Sequence, residues 1–185
     1  EGLTSNDITF IFEDSRGVLL IGTGAGLSCF TEGKLAPYPP VTGFIKVKFR
    51  CAYEDKEGTL WLGSDNGIIC VRGKKAIRCS KKNGLIENHV HTILEDNSGY
   101  LWLGGRNGTA RIRKKELGNF ANGLIDTVHP DSYNEKDGMG SRFCTNVGCR
   151  TRDGRLWFPT TMGVAVIDPG YIRRNEVPPR VMIKE

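Results

Sequence analysis

Apolar residues at every second position mark residues 46–54 as an extended strand, since the side chains of a β-strand point alternately to its two faces. The polar segment 55–58 follows and ends in a glycine, a residue that tolerates the positive φ of many turns. A second strand is predicted at 59–63. Its apolar side chains fall on both faces, so we expect both sides of its sheet to be covered.

Two further strands complete this pattern. The dipeptide Asn66-Gly67 is a strong signal for a tight hairpin, which predicts a third strand at 68–72. A more polar run at 74–79 contains lysines, which commonly protect the exposed edge of a sheet. The segment therefore predicts one sheet of four antiparallel strands.

The same pattern occurs four times along the chain. Gly17, Gly58 and Gly99 occupy one place in three consecutive copies at equal intervals, and Gly154 occupies it in the fourth copy. The common interval, about 41 residues, is the period expected for propeller blades of four short strands. We therefore predict an all-β fold, a β-propeller of about four blades with four antiparallel strands each. The predicted blades are 1–41, 42–82, 83–136 and 137–174.

The third copy carries an insertion. The stretch from Gly108 to Gly138 is much longer than the matching stretch of the second copy, from Gly67 to Gly84. The inserted residues contain an apolar run, Leu124–Val128, followed by turn formers, which predicts a longer outer strand and an ordered connection into the fourth blade. The insertion is either a passive loop or a binding element. As a binding element it would reach over the binding face beside Arg142 with Tyr133, Asn134 and Asp137.

Composition and charge argue against two classes of protein, membrane-spanning and nucleic-acid-binding. With 38% hydrophobic and 25% charged residues, the chain is typical of a globular protein, and no window approaches the ~20 apolar residues that span a bilayer. The net charge of +5 is concentrated at 72–82 and 111–115. These basic runs fall on predicted outer strands and lack interleaved aromatic residues, which favours a solvated edge. We therefore predict no nucleic-acid partner.

The cysteines and histidines do not form a recognisable framework. None of the six cysteines belongs to a CxxC motif. Cys29 and Cys70 occupy equivalent third-strand positions, where a small buried apolar side chain is sufficient. One or two disulfides formed by chance proximity stay an open alternative. His89 and His91 are expected on one face of an innermost strand, and with His129 they could gather a metal ion. With no carboxylate at a readable spacing, hydrogen-bonded histidines are the favoured interpretation. No metal site and no cofactor are predicted.

Catalytic motifs are absent from the sequence as well. There is no nucleophile elbow, phosphate-binding loop or isolated acid pair. The Glu-Asp pairs at 13–14, 54–55 and 95–96 recur at every first turn, which indicates turn formation rather than acid–base chemistry. We therefore predict no catalytic residues.

The hairpins between the second and third strands differ from copy to copy, while the first turns repeat one formula. Strand direction places these hairpins and the blade connections at the same end of the blades. Divergent loops on a repeated framework commonly carry binding specificity. The predicted ligand-binding residues are Asp65, Asn66, Asn88, His89, Arg106, Asn107, Arg142, Thr160 and Thr161.

These repeats resemble two-component regulator propeller repeats. The family motif combines a Gly-Leu pair, a strand ending in Glu-Asp, and a G-x-LWIGT segment with a further glycine. The third copy matches it with Gly84-Leu85, Glu95-Asp96, Gly99, Leu101-Trp102-Leu103-Gly104 and Gly108. The fourth copy resembles the closing blade of the family, although Arg150-Thr151 replaces Glu-Asp and Pro159 replaces glycine. Residues 175–185 resemble the lead-in to an immunoglobulin-like domain.

The resemblance implies the C-terminal part of a larger propeller, commonly seven-bladed, in the periplasmic or extracellular portion of an inner-membrane receptor. It would be the ligand-sensing, non-catalytic input module of a sensor histidine kinase or diguanylate cyclase. A small molecule or carbohydrate would be its ligand. Because an open arc exposes apolar blade faces, we expect them to be covered by other blades of the same propeller or, in the isolated chain, by a second copy in a homodimer.

Two alternatives stay open at this stage. The first is an enzyme of the streptogramin lyase type, which has similar repeats and uses a metal ion, a histidine and acids near the propeller axis. The second is a scaffold for protein interactions.

Overall fold

Four antiparallel sheets follow one another along the chain, each built from strands that are consecutive in sequence. The computed structural model describes residues 2–44, 46–145 and 148–172. Three of the sheets have four strands, and the last has three strands within these residues. The sheets are the blades of a β-propeller, as the repeat pattern predicted.

The strand bounds follow the repeat. The first blade contains β1 (Ile8–Glu13), β2 (Leu19–Thr23), β3 (Leu27–Thr31) and β4 (Lys34–Pro37). The second contains β5 (Phe49–Glu54), β6 (Leu60–Ser64), β7 (Gly67–Arg72) and β8 (Lys75–Cys79). The third contains β9 (Thr92–Glu95), β10 (Tyr100–Gly105), β11 (Gly108–Arg113) and β12 (Asp131–Tyr133). The fourth contains β13 (Cys149–Arg150), β14 (Leu156–Thr160) and β15 (Gly163–Ile167).

Helical structure is confined to short pieces outside the strands. The α-helix α1 (Lys114–Ala121) lies between β11 and β12. Short 3-10 helices are found at Pro39–Val41, Lys81–Asn83, Glu135–Asp137 and Pro169–Tyr171. Among the described residues, no helix has the length and apolar character needed to cross a membrane.

The first turn of each of the first three blades is organised by an aspartate. Asp55 accepts hydrogen bonds from the backbone N–H groups of Glu57 and Thr59 at 3.0 and 2.9 Å. Asp96 accepts the equivalent bonds from Ser98 and Tyr100 at 2.8 and 3.1 Å. The prediction that the Glu-Asp pairs serve turn formation is therefore confirmed for these aspartates.

Each blade packs on the next through a cluster of buried side chains. The first and second blades share Leu20, Phe49 and Leu62, and the second and third share Trp61 and Leu101. A third cluster joins the third and fourth blades through residues that include Trp102, Leu156 and Phe158. None of the three clusters found among the described residues joins the fourth blade to the first.

The outward faces of the first and last blades are apolar and exposed. On β1, Phe10 and Phe12 pack toward the second blade, whereas Ile11 between them is 64% exposed. On β15, Ala165 packs toward the third blade, whereas Val164 is 61% exposed. The strand alternation therefore gives both end blades an unpaired apolar face.

The insertion differs from its prediction. It does not lengthen the outer strand, because β12 has only three residues. The residues after β11 form α1 instead, which buries Leu117 against the cluster between the second and third blades. The run Leu124–Val128 is not a strand, and Leu124 is 70% exposed while Val128 is buried. The predicted lead-in at 175–185 lies outside the described residues, and all six cysteines are free thiols.

Candidate functional site

The hairpins between second and third strands lie against the connections that lead into the next blade. The N–H of Gly67 donates to the carbonyl oxygen of Asn88 at 2.7 Å, and the N–H of Gly108 donates to that of Arg142 at 2.6 Å. The predicted placement of hairpins and connections at one end of the blades is thus confirmed. We call this end the hairpin end.

Asp65, in the β6–β7 hairpin, is held by two cationic or potentially cationic neighbours. Nε and Nη2 of Arg50 donate to Oδ1 and Oδ2 of Asp65, both at 2.8 Å. Nδ1 of His89 lies 3.2 Å from Oδ1. Burial alone would raise the pKa of Asp65, but the hydrogen bonds from Arg50 and His89 outweigh it and lower the pKa to about 2. Asp65 is therefore a carboxylate near neutral pH.

His91 lies deeper, beneath His89, with only 4% of its surface exposed. Its Nδ1 is 3.0 Å from the carbonyl oxygen of Cys144. A carbonyl oxygen can only accept, so Nδ1 carries the proton and Nε2 has a lone pair. Burial lowers the pKa of His91, which keeps the ring neutral. Among the described residues, buried Nε2 of His91 has no hydrogen-bond partner.

The three side chains converge. One potential ligand atom from each of Asp65, His89 and His91 lies within 4.8 Å of the other two. The rings of His89 and His91 are 6.2 Å apart between centroids, and His91 also meets the ring of Phe143 edge-on at 6.0 Å. This convergence of one carboxylate and two imidazoles is the most chemically distinctive feature of the hairpin end.

Two expectations about the histidines are corrected here. His89 and His91 do not lie on an innermost strand, because β9 begins at Thr92 and both histidines belong to the connection before it. A carboxylate partner does exist, since the hairpin of the preceding blade supplies Asp65. His129 is not part of the group: it is exposed and contacts Glu116.

A second acidic group, Glu87, holds the next hairpin. Its Oε1 accepts the backbone N–H of Asn107 at 3.0 Å, and its Oε2 accepts Nδ2 of the same residue at 3.2 Å. Burial raises the pKa of Glu87, and the hydrogen bonds from the backbone N–H groups of Asn107 and Arg106 only partly oppose that shift. Asn107, predicted as a ligand-binding residue, is thus already bound by the framework.

Several other predicted residues form turns or caps. The side-chain oxygen of Asn88 accepts from the N–H of Lys81 at 2.8 Å. Thr160 donates to the carbonyl of Gly163 at 3.0 Å, as Ser64 does to that of Gly67 at 2.8 Å in the second blade. These contacts stabilise turns, and the bond from the hydroxyl to the glycine carbonyl recurs in the second and fourth blades.

The remaining predicted residues are exposed at the hairpin end. Asn66 and Arg106 lie at hairpin tips, and Thr161 shares a 3.0 Å hydroxyl contact with Ser141. Arg142 extends into solvent with its Nε 4.0 Å from Oε1 of Glu135. The structure brings together Asp65 and His89, and it places these four residues at exposed positions of the hairpins and connections.

The insertion residues named as a possible binding element are engaged at the blade edge. Tyr133 packs on Trp102, with ring centroids 5.3 Å apart. Asn134 and Asp137 cap the short helix Glu135–Asp137, each side chain accepting a backbone N–H at 2.9 or 3.0 Å. They stabilise the edge of the third blade.

Arg50 and Glu87 are not among the residues predicted from the sequence, and His91 has no binding role there. A signal was available in the repeat itself. Arg50 and His91 are one repeat period apart, so adjacent blades present them at equivalent places. Such a pair can be read from a repeat only when its copies are compared position by position.

A family model described as two component regulator propeller matches residues 2–25, 43–66 and 84–107. These segments are two component regulator propeller repeats. Each match runs from the lead-in of a blade through its first two strands into the following hairpin, and the three matches lie in the first three blades.

Solved structures share the fold of these blades. The extracellular domain of the hybrid two component system BT3049 from B. thetaiotaomicron is 24% identical, with a TM-score of 0.74, over 89% of this chain. The extracellular domain of BT4673 from the same organism is 23% identical, with a TM-score of 0.70, over 90% of this chain. A catalytically inactive virginiamycin B lyase from Staphylococcus aureus is 13% identical, with a TM-score of 0.53, over 89% of this chain.

The match covers only part of each of these proteins. This chain corresponds to 22% and 23% of the two extracellular domains and to 57% of the lyase. No curated protein matches the chain.

Proposed function

We propose that this chain is part of the extracellular or periplasmic sensing region of a bacterial signalling receptor, and that it binds a small polar ligand at the hairpin end without catalysing a reaction. Its repeats and its similarity in fold to extracellular domains of hybrid two component systems support the receptor assignment. The output would be a histidine kinase or a diguanylate cyclase.

The proposed binding role rests on a difference in exposed polar groups between the two ends of the blades. At the opposite end, Asp55 and Asp96 are saturated by backbone and indole donors of their own turns. At the hairpin end, Arg106 and Arg142 are exposed, and the same end carries the Asp65 and His89 pair. Exposed cationic groups and a carboxylate at one end of the blades suit a ligand rich in hydroxyl or carboxylate oxygens, such as a carbohydrate or an organic acid.

A thermal shift screen of the chain against mono- and oligosaccharides and small organic acids tests the proposal. We expect at least one compound to raise the melting temperature. Arg106→Ala or Arg142→Ala should then weaken its binding by about tenfold, the size expected for a charge-assisted hydrogen bond. The matched control is Arg152→Ala, an exposed arginine in the first turn of the fourth blade, at the opposite end.

Two results would contradict the proposal. The first is a stabilising ligand whose affinity falls in Arg152→Ala but not in the two hairpin-end variants. The second is turnover of a tested compound by the chain, because the virginiamycin B lyase shares the fold and an enzyme is the competing interpretation.

A further inference from the structure

We propose that Asp65, His89 and His91 form a binding site for a divalent transition-metal ion such as zinc. The proposal does not depend on the ligand-binding function above, because it rests on the geometry of three side chains. Two imidazoles and one carboxylate are a ligand set that zinc and other first-row metal ions bind in proteins.

The ring of His91 is oriented as in a metal-binding histidine. A metal-binding histidine usually donates its other ring N–H to a carbonyl or carboxylate, which fixes the ring. His91 shows this arrangement, since Nδ1 donates to the carbonyl oxygen of Cys144 and Nε2 retains its lone pair. A buried nitrogen without a partner among the described residues is costly, by about 1–3 kcal/mol for a neutral group. A metal ion would satisfy it.

The distances are the second argument. Around a tetrahedral zinc ion with ligand distances of about 2.0–2.2 Å, neighbouring ligand atoms are about 3.4 Å apart. The three candidate atoms here lie within 4.8 Å of one another, so a movement of about 1 Å would bring them to that spacing. His89 is half-buried in a connection, so its side chain is the one best placed to move, exchanging its contact with Oδ1 of Asp65 for a bond to the metal ion.

Arg50 does not block the site. It donates one hydrogen bond to each oxygen of Asp65, and a carboxylate oxygen can accept two. Oδ2 accepts only from Arg50 among the described residues, so a lone pair remains there for a metal ion. Three protein ligands would leave a fourth position for water or for an oxygen of a bound molecule.

Zinc titration of the EDTA-treated chain by calorimetry, with a competing chelator, tests the site. We expect one zinc ion per chain at this site. His89→Ala should lower the affinity by at least about tenfold, as expected for loss of a metal ligand or its orienting partner. His91→Gln should have the same effect, and circular dichroism would show whether it remains folded. Because His89 is half-buried, the His89→Ala result stands even if the His91 variant unfolds.

Two matched controls separate this site from other zinc-binding groups. His129→Ala removes an exposed histidine outside the cluster, and Cys149→Ser removes the exposed thiol. Both variants should bind zinc as the unmodified chain does. Cobalt bound in place of zinc should show visible ligand-field bands without a thiolate charge-transfer band.

The proposal is overturned if the chain binds no zinc, or if His89→Ala binds it as tightly as the unmodified chain. It is equally overturned if Cys149→Ser or His129→Ala, rather than His89→Ala, abolishes binding.

Discussion

The indole nitrogen of Trp61 donates a hydrogen bond to Oδ2 of Asp55 at 2.9 Å, across the first turn of the second blade. Trp102 and Asp96 repeat the contact at 2.8 Å in the third blade. The sequence offset between the partners is the same in both blades. The carboxylate therefore joins a turn to the large side chain that fills the core between blades.

Replacing Asp55 by alanine should destabilise the chain strongly. The change leaves the indole N–H of Trp61 and two backbone N–H groups without their acceptor, in a place where the side chain of Asp55 is fully buried. We expect a loss of about 2–3 kcal/mol, measured by urea denaturation. Asp126→Ala, at an exposed position of the insertion, is the control and should change stability by less than about 0.5 kcal/mol. Equal losses in the two variants would contradict the role of Asp55.

The fourth blade lacks the hydrogen bond between a turn aspartate and the indole, and two substitutions would introduce it. Thr151 stands where the other blades have aspartate, and the indole nitrogen of Trp157 is buried without a partner among the described residues. Thr151→Asp combined with Asp153→Ser would recreate the turn of the third blade and avoid placing two carboxylates together. We expect a gain of about 1 kcal/mol relative to Asp153→Ser alone.

The control adds Trp157→Phe to the variant that carries Thr151→Asp and Asp153→Ser. Phenylalanine has no N–H to donate, so the gain from Thr151→Asp should disappear in that background. A gain that persists there would mean that the new aspartate acts through the turn backbone and not through the indole.

Stability should fall in acid because of Asp55 in the first turn of the second blade. Burial by itself would raise the pKa of Asp55, but hydrogen bonds from Trp61 and Thr59 and the charge of Lys114 lower it below its ordinary value of 3.8. A lowered pKa in the folded state means that the stabilisation is present above 3.8 and is lost as the pH falls below it. Melting temperatures between pH 6 and pH 2 should show this loss. The Asp55→Asn variant should lose less over the same range, and an unchanged slope in that variant would contradict the assignment.

The isolated chain should associate through its end blades. Ile11 on the first blade and Val164 on the last are exposed on faces that no other blade covers among the described residues. A second copy of the chain would bury these faces, so we expect a dimer in sedimentation or light-scattering measurements. Ile11→Lys should shift the chain toward monomer, whereas Leu124→Lys, in the exposed part of the insertion, should not. Dimers that persist equally in both variants would place the interface elsewhere.

The sequence by itself determined the architecture. A regular repeat period, strands apolar on both faces and a glycine at the end of each first turn predict stacked four-stranded blades, because these are local features that each blade repeats. The structural role of Asp55 could also be predicted, since an aspartate recurs at this place in the first three copies. Its hydrogen bond to Trp61 could not be predicted, because the rotamers that bring the carboxylate and the indole together depend on packing between blades.

Tertiary structure decided the insertion and the candidate site. The run Leu124–Val128 has the composition of a strand, but a strand needs a partner along a sheet edge, and helix α1 instead buries Leu117 between two blades. Asp65 and His91 are distant in sequence and belong to different blades. They converge only because each hairpin is held against the connection into the next blade, a relationship created by blade packing that no local pattern contains.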